Sequence, residues 1–359
     1  MQRLSLSHSI RACRKLTALA HSSFAPAFAL LPAHKRQAME ILYAYTRFTD
    51  DLVDLPDFDP QTGQEIPVNV RRKKQKLNQW TAALESVLGQ IGSEEQPDID
   101  PHDETAFQKI AESFPGCGGL VFLPALKMIV DRFHIPREPL FHLIDGVETD
   151  IEPKPFASFD DSIDYCHQVA TSVGFASLAV WGTTEPLFSE SVVRAAKACG
   201  IAFQWTNILR DMLEDYNGGR IYLPQAELQR AGLTDKQFGS LLNRKEWNKQ
   251  KIRQKGGDSY AHQQMIQEME KFENKFAALI TNQLRRCEVY YANSEPLYRL
   301  IHRDSRRMFG LMWNSYYSIY QKMCRKPALL TSGNRIRLSS GKKFRLWLHW
   351  RLMPCFRLR

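Results

Sequence analysis

The sequence predicts an all-α protein, and three observations carry that prediction. Apolar residues recur at i, i+3, i+4 and i+7 along almost the whole chain. Strand-like alternation is scarce, and no stretch repeats in tandem. The chain has 359 residues, 43% of them hydrophobic, which is enough for a large buried core. The helical pattern is expected in the segments 35–55, 75–90, 120–133, 138–150, 159–180, 188–215, 260–295 and 297–323.

The head of the chain and the cysteines indicate the compartment. The residues ahead of Glu40, the first acidic residue, contain serine and arginine and resemble a transit peptide. Helical spacing relates Ile10, Cys13, Leu16 and Ala20, however, which favours a first core helix. The seven cysteines are scattered without a CxxC pair, so we expect reduced thiols in a cytoplasmic protein. No apolar run reaches the ~18 residues that a membrane-spanning helix needs.

Three polar stretches interrupt the helical pattern. Residues 55–74 and 91–105 are rich in Pro, Asp and Gly and are expected to be surface loops on either side of one helix. Residues 243–262 are polar and basic and are expected to form a solvated helix and turn. Acidic residues are interspersed among these basic ones, and no aromatic stacking platform accompanies them. We therefore expect no nucleic-acid partner, in spite of the net charge of +9.

The first motif with chemical content is YAYTRFTDDLVD, at residues 43–54. On a helix, Asp50 and Asp54 lie one turn apart on the same face. Arg47 lies one turn before the acidic residues, and Tyr43 one turn before Arg47. The motif follows strongly apolar sequence, where uncompensated charges would be costly to bury.

A second acidic row has the same design. Asn207, Asp211 and Asp215 form a stripe at four-residue spacing, Gln204 extends it, and Arg210 lies beside it. Each row taken alone is more typical of a solvated helix face than of a metal site. Two such rows in one all-α chain favour a cleft for Mg²⁺ and diphosphate, because Mg²⁺ commonly takes one or two carboxylates together with waters and phosphate oxygens.

The chemistry of such a cleft sets a requirement on its surroundings. A Mg²⁺-bound diphosphate is a good leaving group, and its departure leaves an allylic carbocation. That cation needs apolar walls that exclude water and aromatic faces that stabilise positive charge. Apolar helices around 24–33, 118–130 and 165–180 could form the walls, although ordinary core packing explains the same residues.

Four motifs together resemble the squalene/phytoene synthase family, the head-to-head prenyl synthases, over about residues 8–323. The resemblance implies a single helical bundle around a central apolar cavity, spanning 1–330, with a separate tail at 331–359. The motifs are HSSF (21–24), YAYTRFTDDLVD (43–54), YCHQVATSVG (165–174) and FQWTNILRDMLEDYNGGRIYLP (203–224).

The resemblance also implies roles for individual residues. Mg²⁺, or Mn²⁺ in its place, and diphosphate would be held by Asp50, Asp54, Asn207, Asp211 and Asp215. Phosphate would be contacted by Arg47, Arg210 and Ser23. The substrate pocket would be lined by Phe24, Tyr43, Tyr165, Val169, Ala170, Gly174, Gln204, Asn207 and Tyr316, although Phe24, Val169 and Ala170 would equally suit a core.

The implied reaction joins two prenyl diphosphates 1′–1 through a cyclopropylcarbinyl diphosphate. Two C20 donors would give phytoene, and two C15 donors would give squalene or presqualene diphosphate, with NADPH needed only for squalene. No glycine-rich nucleotide motif is present, which favours the phytoene-like outcome. Two departures from the family, Trp205 and the Gly218-Gly219 pair, bear on chain-length preference and on the turn before Arg220.

Other functions fit parts of the same sequence. DDLVD also fits the DDxxD motif of chain-elongating prenyltransferases and terpene cyclases, but the second row reads NILRDMLED instead of a second DDxxD. A non-catalytic assembly factor of the same fold would be expected to lack acidic ligands, and none is missing. The tail GKKFRLWLHWRLMPCFRLR (341–359) suits either the surface of an anionic membrane or a terminal helix docked on the core.

Overall fold

A computed structural model confirms the all-α prediction. The strand pairing in the described part of the chain consists of one short antiparallel ladder, Asp57–Phe58 (β1) with Glu65–Ile66 (β2), and a single bridge between Thr183 and Ile301. The structure describes residues 4–20, 25–58, 65–66, 69–93, 97–115, 117–243, 260–332 and 335–352. The α-helices are α1 Leu6–Leu19, α2 Ala25–Phe28, α3 Ala33–Asp54, α4 Val70–Leu88, α5 Glu104–Ser113, α6 Leu123–Phe133, α7 Glu138–Thr149, α8 Phe159–Cys166, α9 Ser172–Trp181, α10 Glu190–Asn217, α11 Gln225–Arg230, α12 Asp235–Leu242, α13 Tyr260–Ser294, α14 Leu297–Leu300, α15 Arg303–Arg325 and α16 Ser340–Leu352.

The polar loop predicted at 55–74 ends earlier than expected. Helix α4 begins at Val70 because the Asn69 side chain accepts a hydrogen bond from the Arg72 backbone N–H at 3.0 Å. The basic residues of its first turns therefore belong to a helix. Most of the predicted stretch at 243–262 lies outside the described residues.

The first core helix is present as predicted. In α1 the Cys13 side chain is buried, and the Thr17 hydroxyl donates to the Glu40 carbonyl of α3 at 2.8 Å. The buried face is formed by Leu6, Ser9, Cys13 and Thr17.

Helices α3 and α10 hold the acidic rows, and both are fixed by buried partners. On α3, the Tyr45 hydroxyl donates to the Leu140 carbonyl at 2.6 Å, and Trp80 Nε1 donates to the Thr49 hydroxyl at 3.0 Å. On α10, the buried hydroxyl of Thr206 lies 2.8 Å from that of Tyr291 on α13. Each acidic row therefore extends from a rigid, packed helix.

A π-helical turn, His167–Thr171, joins α8 to α9. Two glycines allow neighbouring helices to approach it closely. A Cβ at Gly146 of α7 would lie 2.6 Å from Val169 Cγ1, and a Cβ at Gly200 of α10 would lie 2.8 Å from Thr171 Cα. Since π-helical turns are frequent at functional sites, this segment is a candidate part of the functional site.

The described part of the tail is a docked helix. On α16, Trp350 is buried against α15, where a Cβ at Gly310 would lie 2.3 Å from the indole. The outer face of α16 exposes Phe344 (60%) and Leu352 (67%). Among the residues that the structure describes, no helix combines the length and apolar character needed to cross a membrane.

Candidate active site

The acidic row of α3 lies at the edge of its buried stripe. Thr49 and Val53 face the core, so Asp50 is partly buried and Asp54, one turn later, is exposed. Arg47 forms an ion pair with Asp51, with Nη2 and Oδ1 2.5 Å apart.

The second row runs along α10. Asn207 Nδ2 donates to Gln204 Oε1 at 3.3 Å, while Asn207 Oδ1 is buried and has no hydrogen-bond partner among the described residues. Arg210 Nε donates to Asp211 Oδ1 at 2.8 Å. The amide oxygen is therefore a buried acceptor that its own protein surroundings leave unused.

A turn after α10 brings the two rows together. Gly219 adopts a φ of +80°, a conformation that glycine takes without strain, and the Arg220 backbone N–H donates to the Asp215 carbonyl at 2.8 Å. The Arg220 side chain then reaches α3, where Nη1 lies 3.0 Å from Asp54 Oδ1. The glycine pair thus belongs to a turn whose following residue, Arg220, contacts both rows.

The arginines relieve only part of the electrostatic repulsion between the carboxylates of this cluster. Burial, followed by the charge of Asp54, raises the pKa of Asp50 to about 8. Burial, followed by the charge of Asp211, raises the pKa of Asp215 to about 7. A divalent cation placed here would offset the carboxylate repulsion that adds to the effect of burial on both pKa values.

The residues fit Mg²⁺ only together with further oxygen ligands. The described parts of the chain contain no group of three or more His, Cys, Asp or Glu side chains placed to hold a metal ion. The donors present are carboxylates from two helices and the unpartnered Asn207 oxygen, which suit a hard cation. This donor set suits a cation that completes its coordination with oxygen atoms from outside the protein.

Arg335 is a neighbour of the second row that the sequence did not reveal. Its Nη2 lies 3.0 Å from Asp211 Oδ2, and its Nη1 lies 3.7 Å from Glu214 Oε2. Asp211 is thus flanked by two guanidinium groups, those of Arg210 and Arg335. Arg335 is 124 positions from Asp211 in sequence, so no local spacing could have linked them.

Asp150 is a second residue that sequence reasoning missed. It follows α7, and its carboxylate accepts hydrogen bonds from Tyr165 (2.9 Å) and Tyr222 (2.8 Å). Arg220 Nη2 also donates to the Asp150 carbonyl at 3.4 Å. The signal for Arg220 and Tyr222 was available in the GRIYLP end of the long motif, whereas Asp150 carries no local signal.

Aromatic residues stand beside both rows. Tyr43 is partly buried and packs edge-on against Phe28, with ring centroids 6.3 Å apart. Tyr316 is buried on α15 and stacks on Phe203 of α10 at 4.5 Å. Trp205, in contrast, points into the core and packs edge-on against Phe159 at 5.1 Å.

The remaining predicted pocket residues lie on the π-helical turn and α9. Val169 and Ala170 are partly buried, and Val169 packs against the core. A Cβ at Gly174 would meet no heavy atom within 4 Å, so this position borders open space. Ser23 and Phe24 lie outside the described residues.

Solved structures share the fold over nearly the whole chain. A dehydrosqualene synthase in complex with a ligand superposes with a TM-score of 0.63 at 23% identity, covering 96% of both chains. A squalene synthase from Alicyclobacillus acidocaldarius gives 0.59 at 20% identity, covering 90% of this chain and 95% of its own. At these identities the likeness establishes the fold alone.

Proteins related in sequence are more similar to this chain than the solved structures are. A chloroplastic phytoene synthase 1 from Zea mays is 34% identical over 219 residues, which cover 60% of this chain and 44% of the maize protein. A phytoene synthase from Arthrospira platensis is 33% identical over 248 residues, 67% of each chain. The family model for squalene/phytoene synthases matches residues 18–254, more than half of the chain. The chain therefore belongs to the squalene/phytoene synthase family.

Proposed function

We propose that the protein is a prenyltransferase that joins two prenyl diphosphates head to head through a cyclopropylcarbinyl diphosphate intermediate. One observation carries the proposal: the acidic rows of α3 and α10 meet across Arg220, and the pKa values of Asp50 and Asp215 are raised. A cluster of this kind suits a cation that brings an anionic substrate with it. Phosphorylated small molecules also agree with the net charge of +9.

The acidic residues bind and orient the diphosphates through a divalent cation. A bound Mg²⁺ or Mn²⁺ would neutralise diphosphate charge and make it a better leaving group. Asp50 and Asp54 from α3, with Asn207, Asp211 and Asp215 from α10, would hold it. Arg47 and Arg210 now pair with Asp51 and Asp211, and both can donate charge-assisted hydrogen bonds to phosphate.

The aromatic residues protect the cation that forms when diphosphate leaves. The Phe203–Tyr316 stack and the partly buried Tyr43 offer electron-rich faces beside the acidic rows. Apolar packing around Val169 would keep water from capturing the cation. Water exclusion directs the reaction towards coupling.

The substrate is proposed to be geranylgeranyl diphosphate, as in a phytoene synthase. Relatives from maize, tomato and Arthrospira platensis that match at 32–34% identity are named phytoene synthases. The alternative is a pair of farnesyl diphosphates giving squalene or presqualene diphosphate, with NADPH required only for squalene. The names of the structural neighbours, squalene synthase and dehydrosqualene synthase, fit that alternative.

A product assay tests the proposal. Purified full-length protein is incubated with Mg²⁺ and either the C15 or the C20 diphosphate, with and without NADPH, and the hydrocarbon is identified by mass. We expect a C40 product from the C20 donor without NADPH. A C30 product would support the farnesyl diphosphate alternative. If neither donor releases diphosphate, both the phytoene and the squalene assignments are refuted.

Chain length is expected to depend on Gly174. Because a Cβ there meets open space, Gly174→Leu should fold normally while filling volume that a longer chain would occupy. We expect kcat/KM to fall about tenfold or more with the C20 donor and much less with the C15 donor, since one hydrophobic pocket contact discriminates on this scale. Competition between the two donors measures the ratio of their kcat/KM values. An unchanged ratio would show that Gly174 does not line the substrate pocket.

The exposed face of α16 is proposed to contact the surface of an anionic membrane peripherally. Phe344 (60% exposed) and Leu348 (37% exposed) lie among basic residues, while Trp350 holds the helix on the core. Phe344→Ser with Leu348→Ser should weaken binding to phosphatidylserine vesicles about tenfold or more, because two inserted side chains are lost. Liposome sedimentation measures this. Leu19→Ser, at an equally exposed apolar residue of α1 (64%), is the control, and equal sedimentation of both variants would contradict the proposal.

A further inference from the structure

Asp150 joins the acidic cluster to an aromatic wall. Both of its carboxylate oxygens are in use: Oδ2 accepts from the Tyr165 hydroxyl at 2.9 Å, and Oδ1 accepts from the Tyr222 hydroxyl at 2.8 Å. The two phenol rings stack with centroids 5.0 Å apart and an interplanar angle of 24°. The carboxylate therefore fixes two stacked rings at once.

The surroundings hold this arrangement from both sides. Phe156 packs on the tyrosine pair, with centroids 5.5 Å from Tyr165 and 6.2 Å from Tyr222. The Ser162 hydroxyl donates to the Tyr222 carbonyl at 3.1 Å. The rings are thus pinned by their backbone and by packing as well as by Asp150, so small changes at the carboxyl group need not displace them.

Asp150 also lies within electrostatic range of both acidic rows. Its charge interacts with those of Asp50, Asp54 and Asp215. The Arg220 side chain donates a hydrogen bond to the backbone carbonyl of Asp150 and forms an ion pair with Asp54. The tyrosine pair is thereby placed next to the point from which, under the proposed function, diphosphate departs.

A phenol that donates to a carboxylate becomes more electron-rich, because hydrogen bonds in a low-dielectric site polarise the groups they join. An electron-rich ring stabilises a nearby cation more strongly. Neutral hydroxyl groups satisfy the carboxylate oxygens without cancelling their charge. The tyrosines therefore leave the negative potential of the carboxylate in place, and the charge of Arg220 reduces it from one side.

We propose that Asp150 is a positioning residue that polarises the Tyr165–Tyr222 pair so that it stabilises the carbocation formed after diphosphate leaves. The inference rests on the proposed function and adds a residue to it. It assigns Asp150 an effect on the carbocation through the two tyrosines, each of which donates to one of its oxygens.

The test compares Asp150→Asn with the wild-type protein. An amide of the same shape can accept from one tyrosine but cannot serve both, because its nitrogen is a donor. We expect kcat to fall about 10²-fold, the scale for losing one preorganised electrostatic contact, while KM for the prenyl diphosphate and for Mg²⁺ stays within about twofold. Glu152→Gln, an equal charge change two residues away at an exposed side chain paired with Lys74, is the control and should behave as wild type.

A binding measurement separates polarisation from a structural effect. The probe is a prenyl dimethylammonium ion with inorganic diphosphate and Mg²⁺, and the neutral reference is the matching prenyl alcohol, both followed by calorimetry. Asp150→Asn should weaken ammonium binding about tenfold and leave alcohol binding unchanged. Tyr222→Phe, which keeps the ring, should do the same, and the double variant should lose no more than the larger single loss.

The contrary outcomes are distinct. Wild-type kcat and ammonium affinity in Asp150→Asn would overturn the inference, and a raised KM for Mg²⁺ would make Asp150 a metal ligand instead. If Asp150→Asn does not fold, unchanged ammonium affinity in Tyr222→Phe overturns the inference by itself. Failure of the wild-type protein to release diphosphate would instead refute the proposed function.

Discussion

Asp50→Asn is expected to lower Mg²⁺-dependent release of diphosphate from a prenyl diphosphate by about 10³-fold or more. The substitution keeps the shape of the side chain but removes one carboxylate charge from the α3 row. That charge lies beside the charge of Asp54, where it would help to bind a divalent cation. Asp211→Ala is expected to act similarly from the α10 row. Single-turnover release of diphosphate, followed with a coupled phosphate assay, measures the effect.

The same Asp50→Asn protein should be more stable than wild type when no metal is present. Burial and Asp54 raise the pKa of Asp50 to about 8, so the folded protein holds a proton that the unfolded chain releases near pH 4. Metal-free wild type therefore loses stability as pH rises from about 4 to about 8. Removing the charge should recover about 1–2 kcal/mol at pH 8, a value discounted because Asp50 is only partly buried.

Thermal unfolding at pH 5 and pH 8 checks the sign. The stability gap between Asp50→Asn and wild type should widen as pH rises, and added Mg²⁺ with diphosphate should raise Tm of wild type more than that of the variant. Glu190→Gln, at an exposed residue that begins α10, is a matched control without an expected gap. Full turnover by Asp50→Asn and Asp211→Ala would refute the enzyme assignment.

Gly200→Ala is expected to destabilise the protein by about 3 kcal/mol. The added methyl group would lie 2.8 Å from Thr171 Cα and 2.9 Å from Thr171 N, so backbone must move to admit it. The movement would separate α10 from the π-helical turn that carries Val169 and Ala170. Activity should therefore fall together with stability.

Chemical denaturation measures the loss, with Gly341→Ala as its control. Gly341 lies in the first turn of α16, and a Cβ there meets no heavy atom within 4 Å. Alanine at that position should be neutral or slightly stabilising because of its helix propensity. Equal stability of Gly200→Ala and wild type would show that α10 and the π-helical turn can separate without cost.

The sequence was informative wherever the determining contacts are local. The four-residue spacing of Asp50 and Asp54, and of Asn207, Asp211 and Asp215, predicted which helix faces carry the acidic rows, because helix periodicity depends on neighbours alone. The first core helix was predicted for the same reason. The start of α4 was misplaced, since the cap formed by Asn69 precedes a run of basic residues that resembles a loop.

The rest of the candidate site depends on contacts between distant segments. Asp150 meets Tyr222 across 72 positions, and Arg335 meets Asp211 across 124. No spacing rule links such pairs, because tertiary packing decides which segments meet. The π-helical turn at His167–Thr171 was also missed, since its extra residue per turn leaves no distinct mark in an apolar sequence.

Anomalous diffraction from Mn²⁺ tests the central claim most directly. Crystals of the full-length protein would be grown with Mn²⁺ and a non-ionising thiolo analogue of a prenyl diphosphate, and data collected at the manganese edge. We expect anomalous peaks between the Asp50–Asp54 end of α3 and the Asn207–Asp215 row of α10, with the diphosphate bridging them. Manganese bound elsewhere, or diphosphate seated away from both rows, would contradict the account.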